Sequence, residues 1–226
     1  QGNMHLAPEK ATKVDLSYNF SSQAVNLFVN GYLSHTTDYI SQMTKMDNER
    51  LITTYANADS DIKRGVEVSL KVTPAKWMNF SVGANTYYVT TEGVFEGMHI
   101  DNQGWTNNSN LLLDFVPWKG GDLQLQYFIT TPQYYPQLTT SLTHQMNMGI
   151  KQRFMKGAMT ASILVTDVLN TAKWDVWSNN SLFNLKNSST NKSRMIWLGV
   201  SYNFNSFKQK SNQKAETDRS LIKLGL

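Results

Sequence analysis

Residues Lys63–Tyr88 read KRGVEVSLKVTPAKWMNFSVGANTYY, and the meaning of their alternation decides the fold. Val66, Val68, Leu70 and Val72 alternate with Gly65, Glu67, Ser69 and Lys71. After the break Thr73-Pro74-Ala75-Lys76, Met78, Phe80, Val82 and Ala84 alternate with Asn79, Ser81, Gly83 and Asn85. Period-two alternation on both sides of a short Pro-containing break specifies a long antiparallel hairpin with one apolar and one polar face. A soluble sheet packed on a core produces such a ribbon. So does a membrane barrel, whose apolar face meets lipid and whose polar face meets a wet lumen.

Composition narrows the choice. Charged residues are only 17% of the 226, below the usual share for a soluble domain. Asn, Ser, Thr and Gln fill the deficit, with 12% aromatics, a mixture suited to strands with an uncharged polar face. No apolar run approaches the ~18 residues of a membrane helix, which leaves a barrel untouched because its strands are shorter. The absence of cysteine excludes disulfides and thiolate metal sites. A net charge of +4 without a dense Lys/Arg cluster argues against a nucleic-acid partner. Gln1-Gly2-Asn3-Met4 is polar and unlike a secretory signal, so the expectation is a chain that begins partway through a longer protein.

Working outward, strand one reads as Ala11–Phe20, strand two as Ala24 to about Met43, and strand three as Leu51–Val72 with an irregularity at Asn57–Asp61. Strand four runs from Trp77 to about Thr91 and strand five from Trp105 to Val116, around a longer loop at Glu92–Gln103. Strand six carries Leu123, Leu125, Tyr127 and Ile129, and strand seven Met146, Met148 and Ile150, either side of a loop at Thr131–Ser141. Strand eight carries Met159–Val165 and is read on past Asp167 toward Trp177. A polar loop over Ser178–Ser193 and strand nine, Arg194–Phe204, follow, and a polar tail occupies 205–226. The fold class is therefore all-β, an antiparallel up-and-down meander of about nine strands.

Two regularities favour lipid. Connections read as alternately short and long, the asymmetry of an outer-membrane barrel, which a soluble meander has no reason to show. Lys13, Asp15, Glu67, Lys71, Asp114 and Lys151 also share the polar parity. A soluble core would exclude charge equally, so this second point discriminates weakly. Aromatics gather at both strand ends, with Phe20, Trp77, Phe115 or Trp118, Phe154 and Phe204 at the short-turn end and Tyr39, Tyr88, Trp105, Tyr127 and Trp174 nearer the other. Two interfacial girdles explain that spacing, and β-propensity alone is the competing account. Strands of ~20 residues tilted at ~45° climb roughly 45 Å, beyond a ~25 Å apolar band, and suit a large barrel with raised walls.

Four segments then carry a family likeness. Leu6-Ala7-Pro8-Glu9-Lys10 before Val14–Tyr18, Gly65-Val66-Glu67-Val68-Ser69-Leu70, Val165-Thr166-Asp167-Val168-Leu169-Asn170-Thr171 and Gly199–Phe204 occur in the order seen in the barrels of TonB-dependent outer-membrane receptors, especially the Bacteroidetes type. The chain resembles the C-terminal part of such a barrel over residues 1–204. The tail beyond Phe204 departs from the pattern of outer-membrane proteins that end on their closing aromatic.

What the resemblance implies is a receptor in the bacterial outer membrane that imports a scarce nutrient: a siderophore, cobalamin, glycan or peptide. Its partners would be outer-membrane lipid, a plug domain, the remaining barrel strands, and TonB acting through an N-terminal region outside these residues. A non-transporting structural or adhesive barrel remains the alternative, and a soluble glycan-binding β domain a third. Aromatics placed to stack a ligand at the mouth are Tyr87, Trp105, Tyr134, Tyr135, Trp174 and Trp177, with interface anchoring as their competing role. No enzymatic activity, cofactor or metal is expected. His5, His35, His99 and His144 lack ligand spacing. Ser141 and His144, three apart, would point to opposite faces of a strand.

Overall fold

In a computed structural model, which describes residues 2–48, 50–180, 183–190 and 192–204, the chain is all-β. Nine strands form one antiparallel sheet: β1 (Lys10–Ser21), β2 (Val25–Asp47), β3 (Arg50–Ala75), β4 (Met78–Phe95), β5 (Met98–Phe115), β6 (Gly121–Thr130), β8 (Thr143–Phe154), β9 (Met159–Thr166) and β12 (Met195–Tyr202). Each pairs with its neighbours in chain order. A second sheet, β11-β10-β7, is built from Asn184–Thr190, Lys173–Asn179 and Thr139–Thr140. The polar tail at 205–226 lies outside the described residues.

Register carries the alternation across the whole sheet. The row Phe20, Leu27, Leu70, Val82, Leu111, Tyr127, Met146 is continuous on one face. On the other, the row Ser17, Asn30, Glu67, Asn85, Asn108, Thr130 is equally continuous. The polar face is knitted by side-chain bonds: Asn30 donates to Asp15 at 3.0 Å, Ser17 to Asn30 at 2.8 Å and Tyr32 to Asn85 at 2.9 Å. Among the described residues no second layer covers the apolar face: Val66 is 47% exposed and Leu198 78%. In water so broad an apolar surface would be untenable for a monomer. The sheet is open, with β1 and β12 at its free edges.

Four connections differ from their sequence reading. The polar residues Asp47–Arg50, which read as a loop, and the loop at Glu92–Gln103 are tight hairpins whose strands pair to the ends, Asp47 with Arg50 and Phe95 with Met98. Glu96 and Gly97 take φ of +51° and +79°, the left-handed pair a two-residue turn requires. The asymmetry of the two ends is therefore one of strand projection as well as loop length: β2–β5 rise as a wall beyond their neighbours. The Thr131–Ser141 and Ser178–Ser193 loops contain β7 and β11.

Strand β9 stops at Thr166 instead of running on to Trp177. Asp167 turns the chain with φ +46° and is fully buried. Its carboxylate accepts from the Thr171 and Ala172 amides and the Ser193 hydroxyl, while its own amide donates to Asn147. A burial cost is thus met by a complete set of donors.

The expected irregularity at Asn57–Asp61 has a precise origin. Asp38 on β2 adopts φ +54° and interrupts the β2–β3 ladder between Thr37–Ser60 and Tyr39–Ala58. Beyond it the facing of both strands inverts, so Tyr39, Met43 and Ala58 turn to the polar side. There Met43 and Ala58 form a small apolar cluster with Phe95, Met98 and Ile100. Asn57, now turned outward, clamps the lead-in by accepting from the Ala7 amide and donating to its carbonyl, both at 2.9 Å.

Candidate functional site

The segment after β6 folds back over the polar face of the raised wall instead of standing free. Gln133 and Thr140 exchange bonds of 3.0 Å, Tyr134 bridges Thr139, and the Tyr135 amide donates to Leu138 at 2.8 Å. The hairpin so formed is pinned on both flanks. Asn102 on β5 donates to the Tyr135 carbonyl at 2.6 Å. Gln137 accepts from the Thr44 amide at 2.6 Å and donates to its carbonyl at 3.1 Å, bonding a loop side chain to β2 like an added strand. Gly104 makes the seat possible: a Cβ there would lie 2.1 Å from Cζ of Tyr134.

Beneath the hairpin is a cavity of about 90 Å³ lined by Tyr39, Asp61, Lys63, Tyr87, Gln133 and both loop tyrosines. Asp61, 4% exposed, accepts from Thr91 Oγ1 at 2.7 Å and from Lys63 Nζ at 2.8 Å. Lys63 also stands 5.7 Å over the Tyr39 ring. The 2.8 Å ion pair with the buried Asp61 carboxylate holds the ammonium in place. Lys63 is therefore a fixed cation. Tyr87 Oη donates to Gln133 Oε1 at 3.3 Å, and Gln133 Nε2 donates to the Thr131 carbonyl at 2.9 Å. The arrangement offers aromatic faces, one cation, one carboxylate and an amide, all on rigid strands or a pinned turn. Such a surface can stack and hydrogen-bond a small polar ligand.

Of the six aromatics singled out from sequence, Tyr87, Tyr134 and Tyr135 meet in this cavity. Trp177 lines a neighbouring one of about 180 Å³, with Ile100, Asn102 and Gln137 among its walls. Trp105 does not join them: it lies on the apolar face, 64% exposed, edge-to-face with Tyr88 at 5.4 Å. Its parity, shared with Leu111 and Leu113 on the same strand, already carried this information. Trp174 pairs with Ser189 on the outer sheet and lines neither cavity. Sequence reasoning passed over Tyr39, Asp61, Lys63 and Gln133. Asp61 and Lys63 continue the polar parity of Gly65 and Glu67, a signal available in the sequence; Tyr39 faces inward only because of the inversion at Asp38. Ser141 and His144 are engaged separately, Ser141 Oγ accepting from the Asp175 amide at 3.0 Å and His144 Nδ1 meeting Tyr127 Oη at 3.1 Å on the apolar side.

No curated protein and no solved structure matches the chain. The family model described as "Outer membrane protein beta-barrel family" matches residues 1–202. With a continuous antiparallel meander, one face bare and apolar, and the other polar and cross-bonded, the chain belongs to the outer membrane protein β-barrel family and resides in the bacterial outer membrane.

Proposed function

We propose that these residues form the C-terminal part of the barrel of a TonB-dependent receptor, which binds a scarce nutrient at its outer mouth and imports it. The partners would be a plug domain, further barrel strands and TonB itself. The direction of the free edges supports a larger barrel. With nine consecutive antiparallel strands, β1 and β12 run the same way. Joining them directly would create a parallel seam, whereas an odd number of further strands closes the ring antiparallel throughout, with the even total usual for bacterial barrels.

The observation that carries the receptor reading is the inward-folded hairpin. An adhesive barrel would display its loops outward. Here Tyr134 and Tyr135 are tied over Tyr87 and the Asp61–Lys63 pair, on the polar side where a passing ligand would dwell. The four ordered sequence likenesses point the same way. Deleting TonB in the native host should abolish uptake of the ligand while leaving surface binding intact; undiminished import in that strain would remove the proposal.

A further inference from the structure

We infer that the outward face of β1–β3 carries a site for the phosphate of an outer-leaflet lipid, built by Lys10, His35 and Arg64. All three are exposed and share the apolar face: Lys10 pairs with Thr37, His35 with Ile62, and Arg64 with Leu33 and Tyr88. Lys10 and His35, and then His35 and Arg64, are therefore diagonal neighbours on adjacent strands, about 7–8 Å apart at the backbone. On tilted strands such a diagonal runs level with the membrane. Counted from the strand ends at the short turns, each residue stands ten or eleven positions up its strand, a climb of about 25 Å at ~45°. Tyr88 and Trp105 stand at the same height and stack on one another. That level is the outer boundary of a ~25 Å apolar band, where headgroup phosphates begin.

Charge makes the site specific. Arg64 breaks the rule that keeps Lys and Arg off the lipid face, and among the described residues it has no acidic partner. A guanidinium left at that depth against hydrocarbon is costly, and a phosphate relieves it by bidentate bonding. The acids on the same face, Asp59, Glu92 and Asp101, lie higher on the wall; Asp59 stands beside the Lys10 row two strands away, about 10 Å, and Glu92 shares that row three strands away. The latter separation is about 14 Å, and both exceed the screening length of about 8 Å at physiological salt. The nearer Glu9 carboxylate is engaged by the Ile40 amide at 3.2 Å. Whether the protein imports anything has no bearing on this belt.

The test uses the full-length protein in detergent, doped with a bisphosphorylated glucosamine lipid or its dephosphorylated form, and reads retained lipid by native mass spectrometry. Wild type should hold the phosphorylated lipid at least tenfold better than K10Q/R64Q, with little retention of the dephosphorylated one. The lumen-side variant K71Q/K151Q, with the same loss of charge, should retain lipid as wild type does. R64K should keep part of the retention, since a cation remains. Equal retention by wild type and K10Q/R64Q would overturn the inference, as would equal loss in K71Q/K151Q, which would mean net charge alone acts. Competition by inorganic phosphate as effective as by the lipid would identify a free-phosphate site and equally overturn it.

Discussion

Gly104 shows how a single residue sets the geometry of the mouth. In a strand interior an alanine normally adds stability by restricting the unfolded chain. At Gly104 the added methyl would occupy the place of the Tyr134 ring, so the ring, and with it the Tyr134–Thr139 turn, must lift away. Gly104→Ala should therefore leave the barrel assembled yet weaken ligand binding about tenfold, the order expected from losing one stacked aromatic contact of ~1–1.5 kcal/mol. Binding measured on whole cells, alongside heat-modifiability of the extracted protein, separates the two effects. This dependence was hidden in the sequence: a lone Gly in a strand signals close approach, but nothing nearby names the partner thirty residues away. Tyr87, by contrast, was legible because its parity with Asn85 places it on the polar side.

At the scale of the element, the β2–β3 hairpin illustrates both the strength and the failure of alternation. Up to Thr37 every side chain faces as the pattern demands. Beyond Asp38 the facing inverts, and the sequence reads on without a sign beyond a weak irregularity. The cause is one residue in the left-handed region, a conformation Asp tolerates better than most. The chain itself has no cysteine, so single substitutions report facing cleanly. A thiol at Gln42 should react with a membrane-impermeant maleimide at least tenfold faster than one at Met43, which is fully buried. Equal rates would mean that the inversion is absent. The two-residue turns escaped notice for a related reason: Glu96-Gly97 lacks the Asn-Gly or Asp-Gly signature of its type, and the flanking Gly, Asp and Asn read as loop.

For the whole molecule the governing fact is the pair of free edges. Each exposes a row of unpaired backbone donors and acceptors, which hydrocarbon punishes more than water does. On the proposal of a larger barrel, residues 1–204 produced alone should fail to refold in detergent as a heat-modifiable monomer and should instead associate or precipitate, whereas the complete barrel should refold. A sharp monomer band from the isolated residues would show that the open sheet satisfies itself some other way. The order of strands and the identity of the lipid side were legible from the period of two, which every strand repeats. The capping of the mouth was not. Its ties, such as Gln137 to Thr44, join positions 93 apart in sequence and depend on no local pattern.

The raised wall ends in turns with no slack. At Glu96-Gly97 the strands pair up to the last residue, and Lys45 of β2 is ion-paired to Glu96 at 2.5 Å. A protease needs several residues of backbone that can unbend into its cleft, and this crest supplies none. Cells exposed to secreted proteases would keep this projection intact, even though trypsin-sensitive side chains such as Lys45 stand near its summit.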